Sequence, residues 1–170
     1  MELAPIPSNE SQRLAALIKL GLLDTEPEPR FDTITRATAE QLNVPICTIS
    51  LIDAEREWFK SSQGMTDKQG KRDVSFCGHA LLSQKIFIVE DTTKDPRFAL
   101  NPHVTGKEHI RFYAGVALHD AAHQFPIGVL CVKDIKPRRF NEDEANTLIE
   151  MGRWAELELN SHVIRAPKQA

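Results

Sequence analysis

The segment Asp73-Val-Ser-Phe-Cys-Gly-His-Ala-Leu-Leu82 sets a thiol, Cys77, two residues ahead of an imidazole, His79, where a polar stretch gives way to an apolar one. Three chemistries use such residues. A thiolate in the first turn of a helix gains from the helix dipole and from a neighbouring imidazolium, which makes it a nucleophile or a redox centre. Side chains two apart on a helix point about 200° apart, however, so the pair is poorly placed to act as a contact dyad. Zinc accepts Cys and His in a tetrahedral set, and Cys77, His79, His103 and His109 are the candidates, but none of the usual short ligand spacings joins them. The third chemistry is a small-molecule pocket with apolar walls and a few polar anchors. Trp58, Phe76 and Phe98 are candidate walls. Arg111 and Tyr113 fall on one face of a strand pattern, where a planar guanidinium fork and a phenol meet an anionic or carbonyl group, while Asp91 and Asp134 offer acceptors. Arg111 has a second role open to it, an ion pair with Asp91 or Asp134 that holds a loop shut. His79 either titrates near neutral pH and gates the pocket or faces solvent. The reading adopted is the third: a cap and short helix forming a pocket wall, Cys77 packed there rather than reacting, with no metal site and no catalytic residue unless Cys77 itself serves as one.

Positioning these residues requires elements on both sides of them. Ser8 and Asn9 are cap-type residues ahead of Leu14, Leu17 and Ile18 at helical spacing, and Gly21 ends that helix. The prolines of Asp24-Thr-Glu-Pro-Glu-Pro29 forbid its continuation. A second, amphipathic helix runs over roughly 29–42, with Phe31, Ile34, Ala37 and Leu42 on one face. Strands follow at 45–53 and 57–62 with hairpin spacing, then a loop over 63–73. Ser75 is a plausible N-cap for the short helix of the opening segment. A strand lies in Lys85-Ile-Phe-Ile-Val-Glu-Asp91, and the stretch 92–110 is mostly loop, with a turn of helix around 95–98; so long a connection in a compact domain is more often functional than idle. Strands at 111–119 and 126–135 come next. In the first, Phe112, Ala114, Val116 and Leu118 form the core face; in the second, Leu130, Val132 and Asp134 oppose Ile127, Val129 and Cys131, which predicts a central strand. Asn141 and Glu144 have capping-box spacing before a helix of about five turns, whose stripe is Ala145, Leu148, Gly152, Ala155 and Leu159. Trp154 beside that stripe either completes the core or marks a dimer contact. Strands grouped in hairpins with helices at both ends predict an α+β domain built on an antiparallel sheet.

Bulk properties restrict the function classes. The chain of 170 residues suits one domain, and 41% hydrophobic with 26% charged residues is ordinary for a folded one. A net charge of −3 with scattered lysines and arginines gives no footprint for nucleic acid. No apolar run of about 18 residues predicts a membrane span, and the N-terminus lacks the pattern of a signal peptide, so a cytoplasmic location is expected. Three cysteines without a CxxC fit a reducing compartment, and Cys47 and Cys131 read as small buried hydrophobes.

The segments Leu20-Gly-Leu-Leu-Asp-Thr-Glu-Pro-Glu-Pro-Arg-Phe through Trp-Phe-Lys-Ser61, Asp73 through Leu82, Val89-Glu-Asp-Thr-Thr-Lys-Asp-Pro-Arg-Phe through Gly106, Ile110 through Leu118, and Ile127-Gly-Val-Leu-Cys-Val-Lys-Asp through Glu144 together resemble the GAF sensory domain found beside bacterial histidine kinases and diguanylate cyclases, including those of two-component systems. The likeness covers roughly 13–159. It implies a GAF/PAS-like twisted antiparallel sheet, with the terminal helices packed on one face, often as a dimer bundle, and loops and short helices closing over a small-molecule pocket on the other. It divides the chain into an N-terminal helix and lead-in (1–22), the GAF domain (23–162) and a tail (163–170). It further implies a sensor coupling pocket occupancy to the terminal helices, an unknown small-molecule ligand, a homodimer through those helices and an output domain in cis or in trans; charge and hydropathy leave neither nucleic acid nor membrane as an expected partner. The Asn-Lys…Phe…Asp-Glu signature of cyclic-nucleotide-binding members is absent, and Gly78 interrupts the Cys-His step of bilin-binding members, so no cofactor is assigned. One branch of the family, the free methionine-(R)-sulfoxide reductases, has a Cys-Gly step like Cys77-Gly78. Those enzymes need a partner cysteine in the following loop, and 92–110 contains none.

Overall fold

A computed structural model of the protein describes the backbone of residues 1–165 and the side chains of residues 1–161. The elements, in chain order, are α1 (Glu10–Lys19), α2 (Pro29–Leu42), β1 (Ile46–Ile52), β2 (Arg56–Gln63), β3 (Gln69–Lys71), α3 (Phe76–Ala80), β4 (Ile86–Val89), α4 (Pro102–Thr105), β5 (Phe112–His119), β6 (Pro126–Asp134) and α5 (Glu142–Arg165). The tail expected from 163 therefore starts inside α5, and its remainder, 166–170, lies outside the described residues.

The strands form one sheet in the order β3-β2-β1-β6-β5-β4, each neighbour antiparallel. Placing β1 and β6 in the middle explains why both are buried along nearly their whole length. The short edge strand β3 falls in a stretch whose glycines and charges predict a loop; pairing with Arg56–Trp58 holds it extended. The fold is the α+β antiparallel sheet expected from the sequence.

Helices α1, α2 and α5 cover one face. Leu148, Ala155 and Leu159 of α5 are fully buried there against a core that includes Leu17, Phe31, Ile34, Ile49, Phe112 and Leu130. Gly152 lets α5 approach the sheet: a methyl group on it would stand 2.5 Å from Val116 Cγ2. The predicted capping box forms, with Glu144 N donating to Asn141 Oδ1 at 2.9 Å and Asn141 N donating to Glu144 Oε1 at 3.1 Å. Trp154, at 37% exposed, does not complete the core. Ile127 joins this helix-side core instead of sharing the opposite face with Val129 and Cys131, because the register of β5 on β6 shifts between Leu118 and His119 and an extra residue reverses the alternation.

The other face carries α3, α4 and the loop between β4 and β5. Its core is Phe76, Cys77, Leu81, Phe98, Val104, Ile110, Tyr113, Val129 and Cys131 with their neighbours. The turn expected around 95–98 forms, with Phe98 N and Ala99 N donating to Asp95 O at 2.9 and 2.8 Å and Arg97 N to Asp95 Oδ1 at 2.9 Å; further turns flank it, a 3-10 turn at Thr92–Lys94 capped by Asp91 and α4 capped by Asn101.

Candidate functional site

Ser75 Oγ accepts from Gly78 N at 2.9 Å and donates to Arg72 O at 2.7 Å, so one hydroxyl starts α3 and ties it to the chain ahead. The helix lays Phe76 and Cys77 on the sheet. Phe76 lies against Tyr113, with ring centroids 5.2 Å apart, and against Phe98 at 4.7 Å; His79 meets Phe98 edge-on at 4.8 Å. Of the residues assigned to a pocket from the sequence, Phe76, Cys77, His79, Phe98 and Tyr113 thus lie together on the concave face.

The Cys77 thiol is the centre of a buried polar chain. Tyr113 OH donates to Cys77 Sγ at 3.1 Å, and Cys77 Sγ lies 3.7 Å from Ser50 Oγ. Ser50 Oγ is 2.8 Å from Thr48 Oγ1, which is 3.1 Å from Cys131 Sγ. Burial pushes the Cys77 thiol well up from its ordinary ionisation range, and likewise the Tyr113 phenol. A thiol held protonated in a closed site is inert. Labelling the native protein with an aromatic disulfide reagent is therefore expected to be slow at all three cysteines, and unfolding in guanidinium should release three thiols at once; a fast-reacting thiol in the native state would contradict this.

The other assigned residues are elsewhere. Trp58 points into the helix-side core, opposite Leu51, and is no pocket wall; strict alternation then turns Glu57 and Phe59 to the concave face. Asp134 pairs in register with Phe112 on the helix side, where it accepts from Ile135 N at 2.7 Å and lies 3.5 Å from Arg138, so it is not a pocket acceptor. Asp91 is a partly exposed cap, accepting from Thr93 N and Oγ1. Arg111 meets neither carboxylate. It donates to Val104 O at 2.8 Å and to His109 Nδ1 at 3.1 Å, so it does hold the loop closed, but through a carbonyl and an imidazole. His103 is drawn aside by Glu108 at 2.7 Å, and among the described residues no group of His, Cys, Asp or Glu is placed to hold a metal ion.

His79 faces neither solvent nor an open pocket. It is 8% exposed, and its Nε2 lies 3.2 Å from Glu2 O; burial lowers its pKa, against the pull of that carbonyl. This contact belongs to an N-terminal strap absent from the sequence reading. Glu2 N donates to Arg97 O and Ala4 N to Asp73 O, both at 2.9 Å, which laces the two lid segments together across α3. A second unpredicted staple is Asn101, 1% exposed, whose Nδ2 donates to Val74 O at 2.9 Å while its Oδ1 caps α4. Asn immediately before Pro102 is a helix-start pattern that could have revealed it.

Comparison with known proteins places these observations. Residues 26–159 match the GAF domain family. A cyclic di-GMP phosphodiesterase of Pseudomonas aeruginosa is 41% identical over 138 residues, which is 81% of this chain and 23% of the phosphodiesterase; the chain thus spans under a quarter of the length of that curated relative. Among solved structures, the GAF domain of an Acinetobacter phosphoenolpyruvate-protein phosphotransferase superposes with a TM-score of 0.63 at 18% identity, covering 90% of this chain and 96% of that one. A free methionine-R-sulfoxide reductase from Neisseria meningitidis, solved in complex with its substrate, gives 0.61 at 17% identity, covering 94% and 96%. Structural likeness at these identities speaks for the fold alone. The sequence match over most of the chain, on a sheet with three helices on one face and a strapped lid on the other, makes this protein a member of the GAF domain family.

Proposed function

We propose that this chain is the sensory GAF module of a bacterial signalling protein: its concave face responds to a small molecule, and its terminal helices pass the state of that face to an output domain, in cis or in trans. The observation that carries the reading is the 41% identity to one segment of a much longer cyclic di-GMP phosphodiesterase, which is the relation expected of a regulatory module beside an output domain. Turnover of a cyclic dinucleotide, or its synthesis by a cyclase, is then a property of that partner domain rather than of these residues. The same reading puts the module in the cytoplasm, where such outputs act; no helix among the described residues is long and apolar enough to cross a membrane.

Binding shifts a population between lid conformations, and only a ligand with different affinity for the two shifts it. A homodimer through the terminal helices is the natural carrier of the signal. Ile18 at 64%, Trp154 at 37% and Leu157 at 67% exposed are large apolar side chains left on α1 and α5, of the kind that mark a contact surface. Sedimentation at tens of micromolar is expected to give a dimer, and Leu157→Glu a monomer; a wild-type monomer would remove the dimer from this proposal.

The domain itself is read as non-enzymatic. Buried, protonated Cys77 has no cysteine partner in the lid, which argues against a thiol reductase. The isolated chain is expected neither to hydrolyse cyclic di-GMP nor to reduce free methionine-(R)-sulfoxide with a thioredoxin system. Native mass spectrometry of protein purified from its host is the positive test: a small molecule that leaves on denaturation supports sensing, whereas Cys77-dependent sulfoxide turnover would replace this reading with the enzyme.

A further inference from the structure

Two charged side chains on the concave face form no ion pair among the described residues. Glu57 of β2 is 5% exposed, and its Oε2 is buried without a hydrogen-bond partner. Lys133 of β6 is 8% exposed; burial alone would lower its pKa, but the Glu57 charge foremost, and then Cys131 and Cys77, hold it up. The two act on one another through space, without contact: among the described residues no carboxylate comes within ion-pair distance of Lys133. Burying a charge is costly unless it is paired and hydrogen-bonded, so each of these groups calls for an opposite charge.

What lies between them is polar. Thr48, Ser50, Tyr113 and the thiols of Cys77 and Cys131 line the face from one charge to the other. Lys133 stands opposite Ile46 and Glu57 opposite Ile52, at the two ends of β1. At about 3.3 Å per residue those positions are roughly 20 Å apart. The side chains reaching inward take up on the order of half of that. The remaining separation is too long for direct pairing and is filled in the closed chain by α3 packed on these hydroxyls and thiols; with α3 lifted, the two charges suit a molecule with a positive group at one end and a negative group at the other.

We propose that the concave face between Glu57 and Lys133 is the binding site for a small zwitterion of the ω-amino acid type, its ammonium on Glu57, its carboxylate on Lys133, and the hydroxyls of Thr48, Ser50 and Tyr113 along its length. This rests on the ligand-sensing reading above. The site is closed in the ligand-free chain, since Thr48, Ser50, Cys77, Tyr113 and Cys131 are each 0% exposed. Entry requires α3 to lift, and α3 lies under the strap, so occupancy and the position of the N-terminal segment are linked.

The test is thermal unfolding and calorimetric titration of the whole chain with glycine, γ-aminobutyrate, δ-aminovalerate and ε-aminocaproate, beside the alkylamine and the carboxylic acid of matching length. The expected result is saturable stabilisation by zwitterions only, with an optimum among the longer ones. Glu57→Gln and Lys133→Met should each weaken it at least about thirtyfold, as when one partner of a buried charge pair is removed. The double variant E57Q/K133M removes both unpaired charges; it is expected to fold at least as stably as wild type and to bind none of the series. Equal binding of a singly charged analogue, or binding retained in K133M, overturns the zwitterion while leaving a sensor of another ligand class. No zwitterion binding, with a different molecule released in native mass spectrometry, does the same. No ligand by either method overturns both readings.

Discussion

Glu10→Ala is expected to lower the unfolding free energy by about 3–5 kcal/mol, the usual cost of removing one partner of a buried ion pair and leaving the other charge behind. Here two charges are left behind. Arg13 is 0% and Arg72 3% exposed, and both guanidiniums close on the Glu10 carboxylate, Arg13 Nε at 2.5 Å and Arg72 through both terminal nitrogens. Arg72 leads into Ser75 and α3, whereas Arg13 sits on α1 and donates to Pro126 O at 3.3 Å. The triad therefore joins a terminal helix to the lid, and urea unfolding of E10A beside Glu10→Gln measures the charge as distinct from the shape. The pH dependence has a definite sign. Burial raises the Glu10 pKa, and the hydrogen bonds and charges of Arg13 and Arg72 more than reverse it, so the folded value lies below the unfolded one. The contribution is complete above the unfolded carboxylate pKa of about 4.3 and disappears as pH falls through the depressed folded value. The gap in stability between wild type and E10A should thus be widest near neutrality and narrow in acid; a gap that is constant with pH would show that the charge is not responsible.

Phe76→Ala is expected to cost a similar amount, about 3–5 kcal/mol, because it deletes a large buried ring and leaves a cavity among side chains that relax only partly. Phe76 is 1% exposed and makes ring contacts with both Phe98 and Tyr113, so it couples α3 to the β4–β5 loop and to β5. Phe76→Leu, which keeps most of the volume, should cost markedly less. Denaturant midpoints give the stability, and thiol labelling gives the location: in F76A the Cys77 thiol should react far faster than in wild type while Cys47, on the other face of the sheet, stays protected. Uniform acceleration of all three thiols would mean global loosening and would remove Phe76 from the lid.

Legibility followed the physical range of each signal. Helix α2 is legible along its length, because Pro29 and the amphipathic stripe are local, and the Ser75 cap and the Asn141–Glu144 box also depend on neighbours in sequence. The faces of β5 and β6 followed from alternation until the register shift at Leu118/His119, which depends on the partner strand and so reversed Ile127. Trp58 was misplaced for a related reason: an aromatic near a hairpin suits either face, and the choice is made by pairing with β1, whose own register against β2 shifts between Ile49 and Ser50. With Trp58 on the helix side, alternation sets Glu57 on the concave face. The Glu10–Arg72 and Glu2–Arg97 contacts join residues more than sixty positions apart, and no periodicity in one sequence reports them.

The crossing of the strap over α3 also sets a rule for substitution. A Cβ on Gly78 would stand 2.5 Å from the Cβ of Ala4, so the methyl group of one residue occupies the space left by the hydrogen of the other. Position 78 cannot enlarge without a change at 4, and its Cβ would also press on the Ser75 cap, 2.8 Å from Oγ. Across homologues that keep the strap, the side-chain volumes at 4 and 78 are expected to covary, with a larger residue at 78 matched by glycine at 4 or by loss of the strap altogether. The pair is thus an evolutionary marker: residues 4 and 78 taken together should tell which relatives carry an N-terminal segment threaded across the lid.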